Sequence, residues 1–164
     1  MYKRQEYFVE HDDGRGADDL DDADIVLIGI SRTGKTPLSM YLAHLGYRVA
    51  NIPLVPGVEP PASLFSVDPG KVFGLISTTE VVATIRDRRL ADDMSRAVAS
   101  DYADPERVRS EMDEARALIK KLGCITVRTD GKAIEESAAE ILERMRQVRI
   151  GRERRRERLD AQSI

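Results

Sequence analysis

Four short, largely apolar runs punctuate the chain and predict four strands: Ile25-Val26-Leu27-Ile28, Arg48-Val49-Ala50-Asn51-Ile52, Val72-Phe73-Gly74-Leu75-Ile76 and Cys124-Ile125-Thr126-Val127. Between them, apolar residues recur at helical spacing. Leu38, Met40, Tyr41, Leu42 and Leu45 give a helix with a broad apolar face, stopped at Gly46. Ser77-Thr78-Thr79-Glu80 reads as an N-cap with an acid in the first turn, opening a helix with Val81, Val82 and Ile85 on one face. Asp104 and Pro105 begin an amphipathic helix carrying Val108, Met112, Ala115, Leu118, Ile119 and Leu122, closed by Gly123. Ile134, Ala138, Ile141, Leu142 and Met145 mark a final helix. Alternation of strand and helix predicts an α/β fold, a P-loop kinase-like parallel sheet flanked by helices, with a right-handed first crossover.

The chemistry is concentrated behind the first strand. Gly29-Ile30-Ser31-Arg32-Thr33-Gly34-Lys35-Thr36 fits G-x-x-x-x-G-K-[ST] and joins a predicted strand to a predicted helix start. Such a loop aims backbone N–H groups at one point, and the helix N-terminus adds partial positive charge, so a di- or triphosphate is the expected ligand. Lys35 would reach the terminal phosphates, and the Thr36 hydroxyl would bind a magnesium ion bridging their oxygens. Pro37 pre-sets φ for the first helical turn.

Composition narrows the class. At 164 residues the chain suits one domain with a real core, and a formal charge of -3 gives no global reason to expect nucleic acid or an anionic membrane. No apolar run has the length of a membrane span, and the first residues lack the apolar core of a secretory signal, so a cytoplasmic location is expected. Cys124 is the single cysteine, in an apolar run, and reads as a structural thiol. His44, in the last turn of its helix, complements the helix dipole. Aspartates crowd residues 18–24, read as a solvated connection into the first strand. The acids beside His11, Asp12 and Asp13, could instead orient a hydroxyl nucleophile or hold a metal. The proline-rich residues 53–61 form a loop at the ligand-binding edge of the sheet, either substrate-facing or a connector. Arg86, Arg88 and Arg89 suit a helix C-terminus or a phosphate clamp. Arginine dominates residues 144–158, read as a polar extension of the last helix, as a frayed tail, or as a contact for the acidic run or a partner; no aromatic residue interleaves it, so nucleic acid is not expected. The third strand runs into Gly74-Leu75-Ile76-Ser77, without an ordinary Walker B acid.

The motifs His11-Asp12-Asp13-Gly14, Ser31-Arg32-Thr33-Gly34-Lys35-Thr36-Pro37 and Asn51-Ile52-Pro53-Leu54-Val55-Pro56-Gly57 together closely resemble the regulatory proteins of pyruvate, phosphate dikinase and phosphoenolpyruvate synthetase. The likeness continues through Val67-Asp68-Pro69, Phe73-Gly74-Leu75, Ile85-Arg86 with Arg89, Tyr102-Ala103-Asp104 and Ser137-Ala138-Ala139-Glu140-Ile141-Leu142, leaving out the arginine tail. Members of that family commonly carry Ser where this chain has Gly34, and they have a preceding N-terminal domain. The expected organisation is therefore an acidic connection at residues 1–24, a nucleotide-binding catalytic domain at 25–149 and an arginine-rich tail at 150–164.

The resemblance implies two opposed reactions at one site: phosphorylation of a threonine of the dikinase or synthetase with ADP as donor, and removal of that phosphate by inorganic phosphate with release of pyrophosphate. On that reading Lys35 and the loop N–H groups hold the β-phosphate, Arg32 stabilises transition-state charge, Thr36 helps hold Mg²⁺, and Asp12 or Asp13 orients the incoming hydroxyl or phosphate. Arg86 and Arg89 are candidates for the second phosphate group. Two other functions stay open on the sequence: a small-molecule kinase with a metabolite pocket near residues 53–61, and a non-catalytic nucleotide-binding module. The exposed arginine helix is compatible with a homodimer.

Overall fold

The computed structural model describes residues 7, 10–12, 20–92 and 100–162. Four strands form one parallel sheet: β1 (Ile25–Gly29), β2 (Val49–Pro53), β3 (Val72–Ile76) and β4 (Ile125–Arg128), in the spatial order β2-β1-β3-β4. The helices that connect or flank them among the described residues are α1 (Lys35–His44), the single turn α2 (Ser63–Ser66), α3 (Thr79–Asp92), α4 (Pro105–Leu122) and α5 (Ile134–Gln162). This is the α/β architecture that the alternating pattern predicts.

Every residue of β1 is buried because both faces of the sheet are covered, which is why its sequence is a continuous apolar run. Ile25 and Leu27 face Leu38 and Leu42 of α1 and Ala138 and Ile141 of α5. Val26 and Ile28 face the opposite layer, with Leu64 of α2 and Ile119 of α4. A third cluster joins Val82 and Ala83 of α3 to Val108, Met112 and Ala115 of α4, under Ile30. Gly74 permits the closest approach: a Cβ there would stand 2.4 Å from the Ile119 side chain.

Tertiary packing adjusts two helix faces read from the sequence. On α1, Met40 and Leu45 are 57% and 48% exposed, while Ser39 and Ala43 are buried. On α3 the buried positions are Val82, Ala83 and Arg86, and Val81 and Ile85 remain more than a third exposed. The neighbouring α4 takes up the first set; the second lies beside the loop after β1. The caps agree with the sequence: Thr78 Oγ1 accepts from the Val81 N–H, the Asp104 carboxylate accepts from the Glu106 N–H, and Gly123 closes α4 at φ 65°.

The arginine-rich segment is the continuation of α5, unbroken to Gln162. Arg152 anchors it, donating two hydrogen bonds of 2.6 Å to Asp68, which also accepts from the Gly70 N–H. In the acidic run, Asp22 and Asp24 pair with Arg48; Asp18 and Asp19 lie outside the described residues. No helix among the described residues is long and apolar enough to cross a membrane.

The Arg152 fork, aided by the Gly70 N–H, lowers the Asp68 pKa from 3.8 to about 2. A carboxylate held below its unfolded value stabilises the fold above that value, and the contribution disappears as pH falls from about 4 towards 2. Asp68→Asn is therefore expected to lower Tm at pH 7, by an amount equivalent to about 1 kcal/mol or less for so exposed a pair. The difference from wild type should narrow steadily in melts taken from pH 4 down to pH 2, and a difference independent of pH would contradict the assignment.

Candidate functional site

Parallel strands send their following loops to one edge, and all the candidate residues that the structure describes, apart from Arg86 and Arg89 on α3, gather there. β1 connects through α1 to β2 on one side, while β3 lies on the other, so the crevice opens where the chain changes direction. Residues 29–36 occupy it. Gly29 is needed by close approach: a Cβ would lie 2.8 Å from Thr33 Oγ1 and 2.9 Å from the Leu75 carbonyl oxygen. Arg32 at φ 70° and Gly34 at φ 86° turn the loop back on itself, and Gly34 stands at the N-cap of α1. No side chain caps that helix and no acid occupies its first turn. An uncapped helix N-terminus of this kind favours an anion.

The loop carbonyls are tied from behind. Lys35 Nζ and Thr33 Oγ1 both donate to the Ile30 carbonyl, at 2.8 and 2.9 Å. Thr129, following β4, donates to the Thr33 carbonyl at 3.0 Å. Arg86, fully buried, donates to the Ser31 carbonyl at 3.3 Å, to Glu111 at 2.6 Å and to the Tyr102 carbonyl at 3.0 Å. Its guanidinium also lies 4.5 Å from the centre of the Tyr102 ring, whose hydroxyl is 2.5 Å from Ser31 Oγ. Arg86 thus sits beneath the loop as a brace. Arg89 is exposed, and neither arginine lines the phosphate cavity.

That cavity, of about 560 Å³, is lined by Asp12, Ser31, Arg32, Lys35, Thr36 and Asn51, among others. It brings together the candidates Asp12, Arg32, Lys35 and Thr36; Asp13 lies outside the described residues. Asn51 joins two of them. Buried in β2, it donates from Nδ2 to Asp12 Oδ1 at 2.7 Å and to Thr36 Oγ1 at 3.2 Å, while its backbone N–H donates to the His11 carbonyl at 2.9 Å. Two hard oxygen donors, from Asp12 and Thr36, therefore flank one nitrogen, a donor set that fits a magnesium ion carrying phosphate and water as its other ligands. Among the described residues there is no cluster of three or more His, Cys, Asp or Glu for a softer or all-protein metal site.

Two further recesses adjoin the cavity. One, of about 180 Å³, lies between α3 and the start of α5, with Val81, Ile85, Leu38 and Ile134 as apolar walls and Arg32 at its mouth; Ile85 lines this recess and the phosphate cavity alike. The other, along residues 53–61 and α4, shares Pro53 with the phosphate cavity. Asn51, Tyr102, Glu111 and Thr129 are site residues that the motif alone does not reveal, because only the fold brings them to the loop.

The site is thus a glycine-punctuated loop set between the first strand of a parallel α/β sheet and an uncapped helix. The chain belongs to the kinase/pyrophosphorylase family, whose model matches residues 3–142. It is 47% identical over 147 residues to a protein of Syntrophomonas wolfei assigned as pyruvate, phosphate dikinase regulatory protein 2. Proteins assigned as pyruvate, phosphate dikinase regulatory protein in Desulfitobacterium hafniense and Carboxydothermus hydrogenoformans are 49% and 46% identical over 138 residues. These alignments cover 87%, 84% and 84% of this chain and 54%, 50% and 50% of the relatives, so the chain spans about half their length.

The brace predicts a separable effect on the loop. Arg86→Ala leaves buried Glu111 with only a 4.0 Å contact to Arg107 and is expected to cost about 3 kcal/mol in chemical denaturation. Arg86→Lys retains the charge but cannot span Glu111 and two carbonyls at once. It should weaken binding of ADP about tenfold by calorimetry at a temperature where the variant is fully folded; unchanged affinity would show that the brace does not shape the loop.

Proposed function

We propose that this site transfers the β-phosphoryl group of ADP to a threonine hydroxyl of pyruvate, phosphate dikinase or phosphoenolpyruvate synthetase, and in the opposed direction passes that phosphoryl group to inorganic phosphate. The observation that carries the reading is the convergence of Lys35, Thr36, Arg32 and the acid Asp12 on one cavity at an uncapped helix N-terminus.

In the forward reaction the loop N–H groups and Lys35 hold the β-phosphate, with Lys35 exchanging its bond to the Ile30 carbonyl for phosphate oxygens. Arg32, exposed at the mouth of the cavity, meets charge on the transferring group. Asp12, held by Asn51, accepts the proton of the threonine hydroxyl as its oxygen bonds to phosphorus. The bond from that phosphorus to the bridging oxygen breaks, and AMP leaves. Thr36 and Asp12 would hold Mg²⁺, which when bound neutralises phosphate charge. The apolar recess lined by Val81, Ile85 and Ile134 takes the nucleoside, which accounts for three partly exposed aliphatic side chains beside the loop. In the opposed direction inorganic phosphate occupies the β-phosphate position, attacks the phosphothreonine and leaves as pyrophosphate, while Asp12 returns the proton to the threonine oxygen.

The names of the relatives support the dikinase as the acceptor. The test incubates the protein with ADP, Mg²⁺ and each purified target, reading phosphothreonine by mass spectrometry and AMP release by chromatography. One target should be phosphorylated with one AMP per phosphate, and Lys35→Ala should reduce both directions at least a thousandfold, within the range expected for a group stabilising transferred charge. No threonine phosphorylation on either target would overturn the reading. Survival of one direction in Lys35→Ala would overturn the shared site.

A further inference from the structure

The groove along residues 53–61 has about 730 Å³ of space, more than the phosphate cavity, and a different chemistry. Its floor is Ile30 of the loop and Ile52 of β2. One wall is the proline-rich loop, fastened to the end of β1 by the Leu54 N–H, which donates to the Gly29 carbonyl at 2.9 Å. The facing wall is α4, through Ala115 and Leu118. Val55 and Val58 stand 51% and 64% exposed on the rim. Prolines at 53, 56, 60 and 61 restrict the loop, so a ligand would order little new backbone on binding.

Charge decides what fits. Glu59, Glu111 and Glu114 line the groove, and no Lys, Arg or His does. Glu111 is occupied by Arg86, whereas Glu59 and Glu114 have no ion-pair partner among the described residues. An acidic, apolar groove repels a nucleotide or free phosphate and attracts an apolar segment carrying positive charge.

Position decides the role. The phosphate cavity shares Ile85 with the recess on one side and Pro53 with this groove on the other. In-line transfer requires the acceptor to approach opposite the leaving group. With the nucleoside in the recess, the acceptor's side is the groove.

We infer that this groove binds an extended segment of the acceptor protein, seating an apolar side chain between Val58 and the Ala115–Leu118 face of α4 and a lysine or arginine at Glu59 and Glu114. This rests on the protein-directed transfer proposed above and adds how the acceptor is recognised.

Val58→Asp and the double variant Glu59→Lys with Glu114→Lys change only exposed side chains. Transfer from ADP to whichever purified target the wild-type protein phosphorylates should show KM for that target raised at least tenfold in each variant. The Kd for ADP and kcat at saturating target should stay within twofold. Wild-type transfer with unchanged target KM in both variants would overturn the groove while leaving the transfer reaction standing. No wild-type transfer would overturn the transfer reaction itself, and the groove with it. A photo-crosslinker at position 58 supplies a readout that does not depend on turnover: crosslinks to the target support the assignment, and crosslinks only within this chain or to a second copy overturn it.

Discussion

A loop that binds phosphate through its backbone N–H groups must keep those donors pointed outward, so its shape has to be held through its carbonyls. Here the ties come from three parts of the chain. Thr33 and Lys35 hold the Ile30 carbonyl from within the loop, Thr129 reaches the Thr33 carbonyl from the end of β4, and Arg86 reaches the Ser31 carbonyl from α3. The last tie is the costliest to build, since a fully buried guanidinium requires a buried carboxylate, and Glu111 of α4 supplies it. The packing of α3 on α4 and the order of the sheet therefore bear directly on the loop.

The same arrangement divides the sheet's carboxyl edge by chemistry. Lysine, an arginine and a helix N-terminus surround the phosphate cavity, aliphatic side chains wall the recess beside α3, and carboxylates line the groove beside α4. Asn51 links the acid before β1 to the hydroxyl at the start of α1, so Asp12 and Thr36 share one fixed reference in β2. The recess, the central cavity and the groove lie in sequence along one edge, with Ile85 and Pro53 at the two junctions, and the proposed transfer would use them for donor, transferred group and acceptor in that order.

Much of this was legible in the residues. Short, largely apolar runs mark β1 to β4, and the spacing of Gly29, Gly34, Lys35 and Thr36 marks the loop, because both depend on local sequence. Arg86 shows the limit. At the end of an apolar-faced helix it reads as a clamp for phosphate, but only the fold shows that the position is buried against Glu111, 25 residues away. Asn51 lay inside a predicted strand with no local sign that its amide would meet Asp12, and Thr129 meets the loop across 96 residues. Spacing puts Val81, Val82 and Ile85 on one helical face; the exposure of Val81 and Ile85 follows from α4 packing on Val82 and Ala83, which periodicity does not encode. The continuation of α5 to Gln162 was one of several readings of its arginines, and the Asp68 contact is again long-range.

The central claim is that this loop holds the diphosphate of ADP, and a crystal structure of the protein with ADP and Mg²⁺ tests it most directly. The account expects the β-phosphate within hydrogen-bond distance of the backbone N–H groups of residues 31–36, with Lys35 Nζ moved from the Ile30 carbonyl onto its oxygens and the Ser31 carbonyl still held by Arg86. A diphosphate bound elsewhere, or a Lys35 still bonded to Ile30 with ADP present, would contradict it.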